Sequence, residues 1–203
     1  MDLGDRITAA YHRLWERAGE VTGHPVERID GVSLVSTGAP AGFLNRAFVQ
    51  TDPEDPTGAL EEAKRFFGDL PFFFEVRRDL HPRATDAAAA RGLEVGMTAP
   101  GMVMTPAYAA TLETECEGLD IKPVASDQDL EDNLAVQAEG FGMPLELIHH
   151  VFAKLLRDDN ARCLTGWHDG RPVTTSAVIA DDGLAGVYSV ATLPDVRGYV
   201  AVA

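Results

Sequence analysis

Apolar residues recur at helical spacing from the start of the chain. Leu3, Ile7, Tyr11, Leu14, Trp15 and Ala18 fall on one face and predict an amphipathic helix over 2–20. Two short apolar runs follow, 32–35 and 43–49. The turn-rich Thr37-Gly38-Ala39-Pro40-Ala41-Gly42 parts them, which predicts a pair of strands. Asp55-Pro56 opens a helix as N-cap and first helical residue. Its apolar face is Leu60, Ala63 and Phe67, and Gly68 ends it. Residues 71–76, with three consecutive phenylalanines, predict a buried strand. An alanine-rich helix over 85–91 closes at Gly92, and 94–105 predicts a further extended stretch. Helices alternating with strands define an α/β arrangement in which crossover helices imply some parallel pairing.

The pattern breaks over 107–119, where Glu113, Glu115 and Glu117 cluster. This stretch reads as a linker and divides the chain into units 1–112 and 113–203. The second unit opens with a strand over 120–125. Ser126-Asp127-Gln128-Asp129 follows as a capping box, and Leu130, Leu134 and Ala138 line one helical face. Pro144 starts another helix with the stripe Ile148, Val151, Phe152, Leu155 and Leu156. Three strands are predicted at 162–167, 173–180 and 184–190. Asp169-Gly170 and Asp182-Gly183 join them, so an antiparallel meander is expected.

Charge narrows the partners. The net charge is −15. Residues 1–112 hold 11 basic against 16 acidic side chains (−5), and 113–203 hold 6 against 16 (−10). Such a surface repels nucleic-acid phosphates and anionic lipid, so neither is an expected partner, whereas a cationic amine is compatible with it. No apolar run reaches the roughly eighteen residues of a membrane span. The first residues lack a secretory pattern, and two cysteines make no disulfide framework. A reduced, cytoplasmic setting is the expectation.

The segment Gly186-Val187-Tyr188-Ser189-Val190-Ala191-Thr192-Leu193-Pro194-Asp195-Val196-Arg197-Gly198 resembles the GNAT superfamily of N-acetyltransferases. In that superfamily the fourth strand ends in a V-x-x-x-P-x-x-R-G pattern ahead of a loop that wraps the CoA diphosphate. The order of strand, two helices and three antiparallel strands over 120–198 is similar too. The resemblance implies that Val190, Ala191 and Thr192 contact the pantetheine arm, and that Arg197 and Gly198 begin the diphosphate loop. Acetyl-CoA is the implied co-substrate and a primary amine on a small molecule or peptide the implied acceptor. A backbone N–H of the fourth strand would polarise the thioester carbonyl.

Beyond Gly198 the pattern departs, since Tyr199-Val200-Ala201-Val202-Ala203 lacks the glycines of the loop. Val200 and Val202 stand at the small-residue positions, or else residues are lost and Tyr199 belongs to a shifted loop. The first unit resembles the same fold more faintly. Its 87–104 stretch is similar to that family's last helix and following strand, while 49–57 carries three acids and no glycine where a CoA loop would lie. The expected architecture is a GNAT-like mixed sheet flanked by helices: a complete, degenerate first unit and the first half of a second. The expected activity is an acetyl transfer impaired by the missing loop, with weak or absent acetyl-CoA binding and self-association through the incomplete second domain. The alternative is a non-catalytic remnant or binding module.

Other candidates carry less. His149 and His150 diverge by about 100° on a helix and do not share a metal. Cys163 reads as a core thiol, Asp181-Asp182 as turn chemistry, and Tyr188 as either a wall of the acyl site or a packed ring. No catalytic residue is assigned.

Overall fold

The computed structural model describes residues 3–111 and 118–198. The chain forms two compact units, 1–100 and 101–203. The boundary expected at Leu112 lies outside the described residues.

In the first unit, α1 (Leu3–Thr22) precedes four strands: β1 (Val26–Ile29), β2 (Val32–Val35), β3 (Arg46–Val49) and β4 (Phe73–Glu75). They lie in the order β1-β2-β3-β4. Helix α2 (Pro56–Phe67) connects β3 to β4, and because it crosses over, those two strands pair in parallel. The strand β1 is an addition to the sequence reading. It forms a hairpin with β2 through Asp30 and Gly31, at φ 40° and 75°. That is a primed turn, whose twist matches the strands it joins.

β2 and β3 are buried along their whole length because each face has a cover. Val32, Leu34, Ala47 and Val49 pack with Ala59, Ala63 and Phe67 of α2 and with Ala84 of α3 (Pro82–Ala90). The opposite face meets α1 and, beside the buried Val35 and Phe48, carries polar groups. Glu16 accepts from Arg28 at 2.7 Å and from the Ser33 hydroxyl at 2.6 Å. Arg46 donates to Glu75 at 2.7 Å and to the Tyr11 hydroxyl at 2.6 Å, with its guanidinium 4.2 Å from the Trp15 ring centre.

Three expectations change here. The run 43–49 is not one strand, because Gly42–Leu44 forms a single 3₁₀ turn before β3. The phenylalanine run yields only three strand residues, half-buried at the sheet edge. No strand forms over 94–105, and Val95, Met97, Met102, Val103 and Met104 stand exposed. Pro100 lacks an N–H and, with Gly96 and Gly101, interrupts the run, so the strand suggested to follow the alanine-rich helix is absent.

In the second unit a single turn of helix, α4 (Pro106–Ala109), is followed by β5 (Asp120–Pro123), α5 (Asp127–Phe141), α6 (Leu145–Leu155), β6 (Ala161–His168), β7 (Arg171–Asp181) and β8 (Leu184–Thr192). The four strands form an antiparallel sheet in the order β5-β6-β7-β8. Both Asp-Gly pairs adopt the left-handed conformation the meander requires, with φ 50° and 77° at Asp169-Gly170 and 46° and 72° at Asp182-Gly183. The capping box forms as read: Ser126 accepts from the Asp129 N–H, and Asp129 accepts from the Ser126 N–H.

Leu130, Leu134, Ala138, Ile148, Ala153, Leu156, Cys163 and Ala177 form the core between helices and sheet. Burial raises the Cys163 thiol pKa to about 11, consistent with a core residue. A polar ladder fixes α5 on β6: Gln137 donates to Asn133 at 2.7 Å, and Asn133 donates to the Leu164 carbonyl at 3.0 Å and the Thr165 hydroxyl at 2.9 Å.

Candidate functional site

The site is built on the far end of β8. From Asp181↔Leu184 to Ala177↔Tyr188 the β7–β8 ladder runs in simple register. It resumes at Thr175↔Ala191 and Thr174↔Thr192. Ser176 alone therefore faces two residues, Ser189 and Val190, which is a β-bulge. Ser189 occupies the left-handed region at φ 53°, a conformation that costs a non-glycine residue on the order of 1–2 kcal/mol. The bulge bends β8 and takes its next peptide groups out of the regular ladder.

Hydroxyls from β7 hold this irregularity on both sides. Thr175 donates to the Ser189 carbonyl at 2.9 Å, and Thr174 donates to the Ala191 carbonyl at 2.8 Å. Thr174 and Thr192 hydroxyls also share a bond of 3.0 Å. Beyond the bulge, β8 closes on α5. A Cβ built on Gly140 would lie 2.9 Å from the Ala191 Cβ, so only glycine permits this approach.

The residues singled out from sequence divide accordingly. Val190 is exposed, whereas Ala191 and Thr192 turn their side chains into the packing with α5 and β7. What these three can offer a ligand is mainly backbone. β8 is an edge strand among the described residues, and an edge strand presents alternate N–H and C=O groups away from its single neighbour. An extended arm with amide groups, such as pantetheine, fits that chemistry.

Past Leu193 the chain makes a 3₁₀ turn, Pro194–Val196, held by an ion pair of 2.6 Å between Arg171 and Asp195. Arg197 Nε donates to the Thr192 carbonyl at 3.0 Å and a terminal guanidinium nitrogen donates to the Gly140 carbonyl at 2.6 Å. Gly198 takes φ 85° with open space around it. Thus Arg197 braces the strand end to α5, and Gly198 supplies the backbone freedom. The loop residues Val200 and Val202 lie outside the described residues.

Tyr188 has its ring folded over Gly186 of the same strand, and burial, then the Asp181 carboxylate, raises its hydroxyl pKa. The packed-ring reading describes it. His149 Nε2 lies 2.5 Å from a Glu131 carboxylate oxygen, bridging α6 to α5.

In the first unit, the N-termini of α2 and α3 are closed to such a ligand. The N-terminus of α2 is capped by Asp55, which accepts from Gly58 N at 3.0 Å. The N–H groups of Glu54 and Asp55 donate to Asp30 at 3.0 and 2.9 Å. The N-terminus of α3 is filled by Asp52, which accepts from Ala84 N at 3.0 Å and Arg83 N at 3.3 Å. Desolvation pushes the Asp52 pKa up, but these N–H groups and the Arg83 guanidinium outweigh it and hold the carboxyl below its ordinary range. Donors that elsewhere receive a phosphate are here committed to the chain's own carboxylates.

No family model matches the sequence, and no curated protein does. Solved structures do match. A GCN5-related N-acetyltransferase from Kribbella flavida superimposes over 98% of this chain and 76% of its own, with a TM-score of 0.67 at 20% sequence identity. Two others match in part. They are a putative acetyltransferase from Pyrococcus horikoshii (18% identity, 42% of this chain and 31% of its own, TM-score 0.36) and Escherichia coli ElaA (14%, 39% and 59%, TM-score 0.29). The fold is therefore that of a GCN5-related N-acetyltransferase.

Proposed function

We propose that the second unit transfers an acetyl group from acetyl-CoA to a primary amine. The bulge at Ser189-Val190, at the point where an edge strand turns toward a helix, is the observation that carries this reading. It releases a backbone donor beside an open strand edge, and such a donor can stabilise the oxyanion that forms when an amine attacks a thioester. Val190, Ala191 and Thr192 line the arm with backbone groups, while Gly198 lets the main chain approach the diphosphate.

Affinity is weak in this chain, because Val200 and Val202 stand where the loop needs small residues for the backbone to close on an anion. The first unit is a scaffold rather than a second acyl-CoA site, its helix ends being filled by Asp30, Asp52 and Asp55.

Titration of the purified chain with acetyl-CoA, followed by calorimetry and by amide NMR, tests this. The expected result is binding weaker than micromolar, with shifts confined to amides of 189–198. Saturating shifts elsewhere, or none at millimolar acetyl-CoA, would remove the assignment.

A further inference from the structure

The structure assigns to Thr175 the role of a positioning residue: its hydroxyl holds the Ser189–Val190 peptide so that the Val190 N–H points away from β7, toward the open edge of β8. The consequence for acyl transfer rests on the function proposed above, but the geometric assignment does not.

The Ser189–Val190 peptide unit moves as one rigid body. A peptide unit is planar and trans, so its C=O and N–H point in opposite directions. The carbonyl of Ser189 and the N–H of Val190 belong to the same unit. Thr175 lies on β7 and donates to that carbonyl at 2.9 Å. Pinning the oxygen on the β7 side therefore turns the Val190 N–H to the opposite side. Thr175 is 2% exposed, so the donor end of the bond is shielded from water. Nor does the ladder impose this orientation, because Ser189 and Val190 are the two residues that share Ser176.

The hydroxyl also helps offset a conformational cost. Ser189 holds φ 53° without being glycine, and such backbone persists only where its surroundings over-determine it. Thr174 makes the matching bond to the Ala191 carbonyl at 2.8 Å, so the carbonyls before and after Val190 are both anchored. Two consecutive threonines on a strand point to opposite faces. The pair thus clamps the bulge from both sides of the sheet, and only the Thr175 arm acts on the peptide that carries the Val190 N–H.

The test compares wild type with Thr175→Val, which keeps the shape and removes the donor, and Thr175→Ser, which keeps the donor. In Thr175→Val the Val190 amide resonance should move and its hydrogen exchange change by tenfold or more (roughly the population shift that one lost buried hydrogen bond permits). Thr175→Ser should resemble wild type. Unchanged Val190 shifts and exchange in a folded Thr175→Val protein overturn the assignment. If that variant does not fold, wild type alone decides: a slowly exchanging Thr175 hydroxyl proton is expected, and its absence counts against the bond.

Acetyl-CoA is then added as a probe. If wild type transfers acetyl groups, Thr175→Val should lower kcat by roughly tenfold or more with little change in KM, because a misaimed donor is missed mainly in the transition state. A Val190 amide that responds to the substitution but not to acetyl-CoA would sustain the positioning role while removing the acyl-transfer reading.

Discussion

Arg197 reaches from the turn after β8 to the carbonyl of Gly140 near the end of α5, at 2.6 Å, and also donates to the Thr192 carbonyl. One side chain thereby joins the last turn of a helix to the last residue of a strand, a favourable place for a cation near the negative end of the helix. Arg197→Ala should raise amide exchange across 192–198 and cost about 1 kcal/mol in urea unfolding. Arg197→Lys, with a single head group, should recover less than half of that loss. Equal stability of the three proteins would show that the brace is idle.

Gly140 matters for its missing side chain as well as its carbonyl. A Cβ there would meet Ala191 at 2.9 Å and the Thr192 backbone at 3.4 Å. Gly140→Val is expected to destabilise the second unit by on the order of 2 kcal/mol, despite the poor helix propensity of the glycine it replaces. Shifts of Ala191 and Thr192 amides should accompany the loss. A midpoint unchanged from wild type would mean that α5 and β8 do not approach this closely.

His12 is 6% exposed and lies 4.5 Å from the Phe48 ring centre. Burial, only partly countered by Glu16, lowers its pKa from 6.5 to about 4. The folded state thus binds fewer protons than the unfolded chain between those values, and its stability rises with pH there. The contribution is fully present above pH 6.5 and is lost as pH falls toward about 4, reaching about 3 kcal/mol. His12→Phe, measured against wild type from pH 4 to 7.5, should remove that part of the slope. Parallel stability curves would contradict it.

Gly31 and Gly23 both have positive φ, 75° and 77°, yet differ in room. A Cβ on Gly31 would meet the Thr51 carbonyl oxygen at 2.7 Å, while nothing lies within 4 Å of one on Gly23. Gly23→Ala should cost about 1 kcal/mol from the backbone alone, and Gly31→Ala at least about twice as much because a main-chain atom must also move. Thermal or urea midpoints of the two variants provide the comparison, and equal losses would argue against the close contact.

Features were legible in the sequence where a few adjacent residues sufficed. The Asp55-Pro56 helix start, the Ser126 capping box and the two Asp-Gly hairpins all formed where read. The β1–β2 hairpin carried the same Asp-Gly signal at Asp30-Gly31 but was missed, because Glu27 and Arg28 interrupt the apolar run before it. The strand read at 94–105 was the opposite error: apolar residues without a neighbouring strand to pair with. At the candidate site, the resemblance singles out residues within 190–198, but nothing in the sequence marks the bulge. Neither glycine nor proline marks Ser189, and its conformation depends on hydroxyls fourteen and fifteen residues away on β7.

Local chemistry in the sequence alone determined where helices begin, where the second sheet turns and which faces are apolar, since caps, turns and amphipathic periods act within a few residues. Tertiary structure decided what the polar residues on those faces do. His12 and Glu16 sit within a helix like any solvated pair until β2 and β3 bury them. Thr174, Thr175, Gly140 and Arg197 acquire their roles only when β7, β8 and α5 come together, because a hydrogen bond or a close contact across the fold exists only once its distant partner arrives.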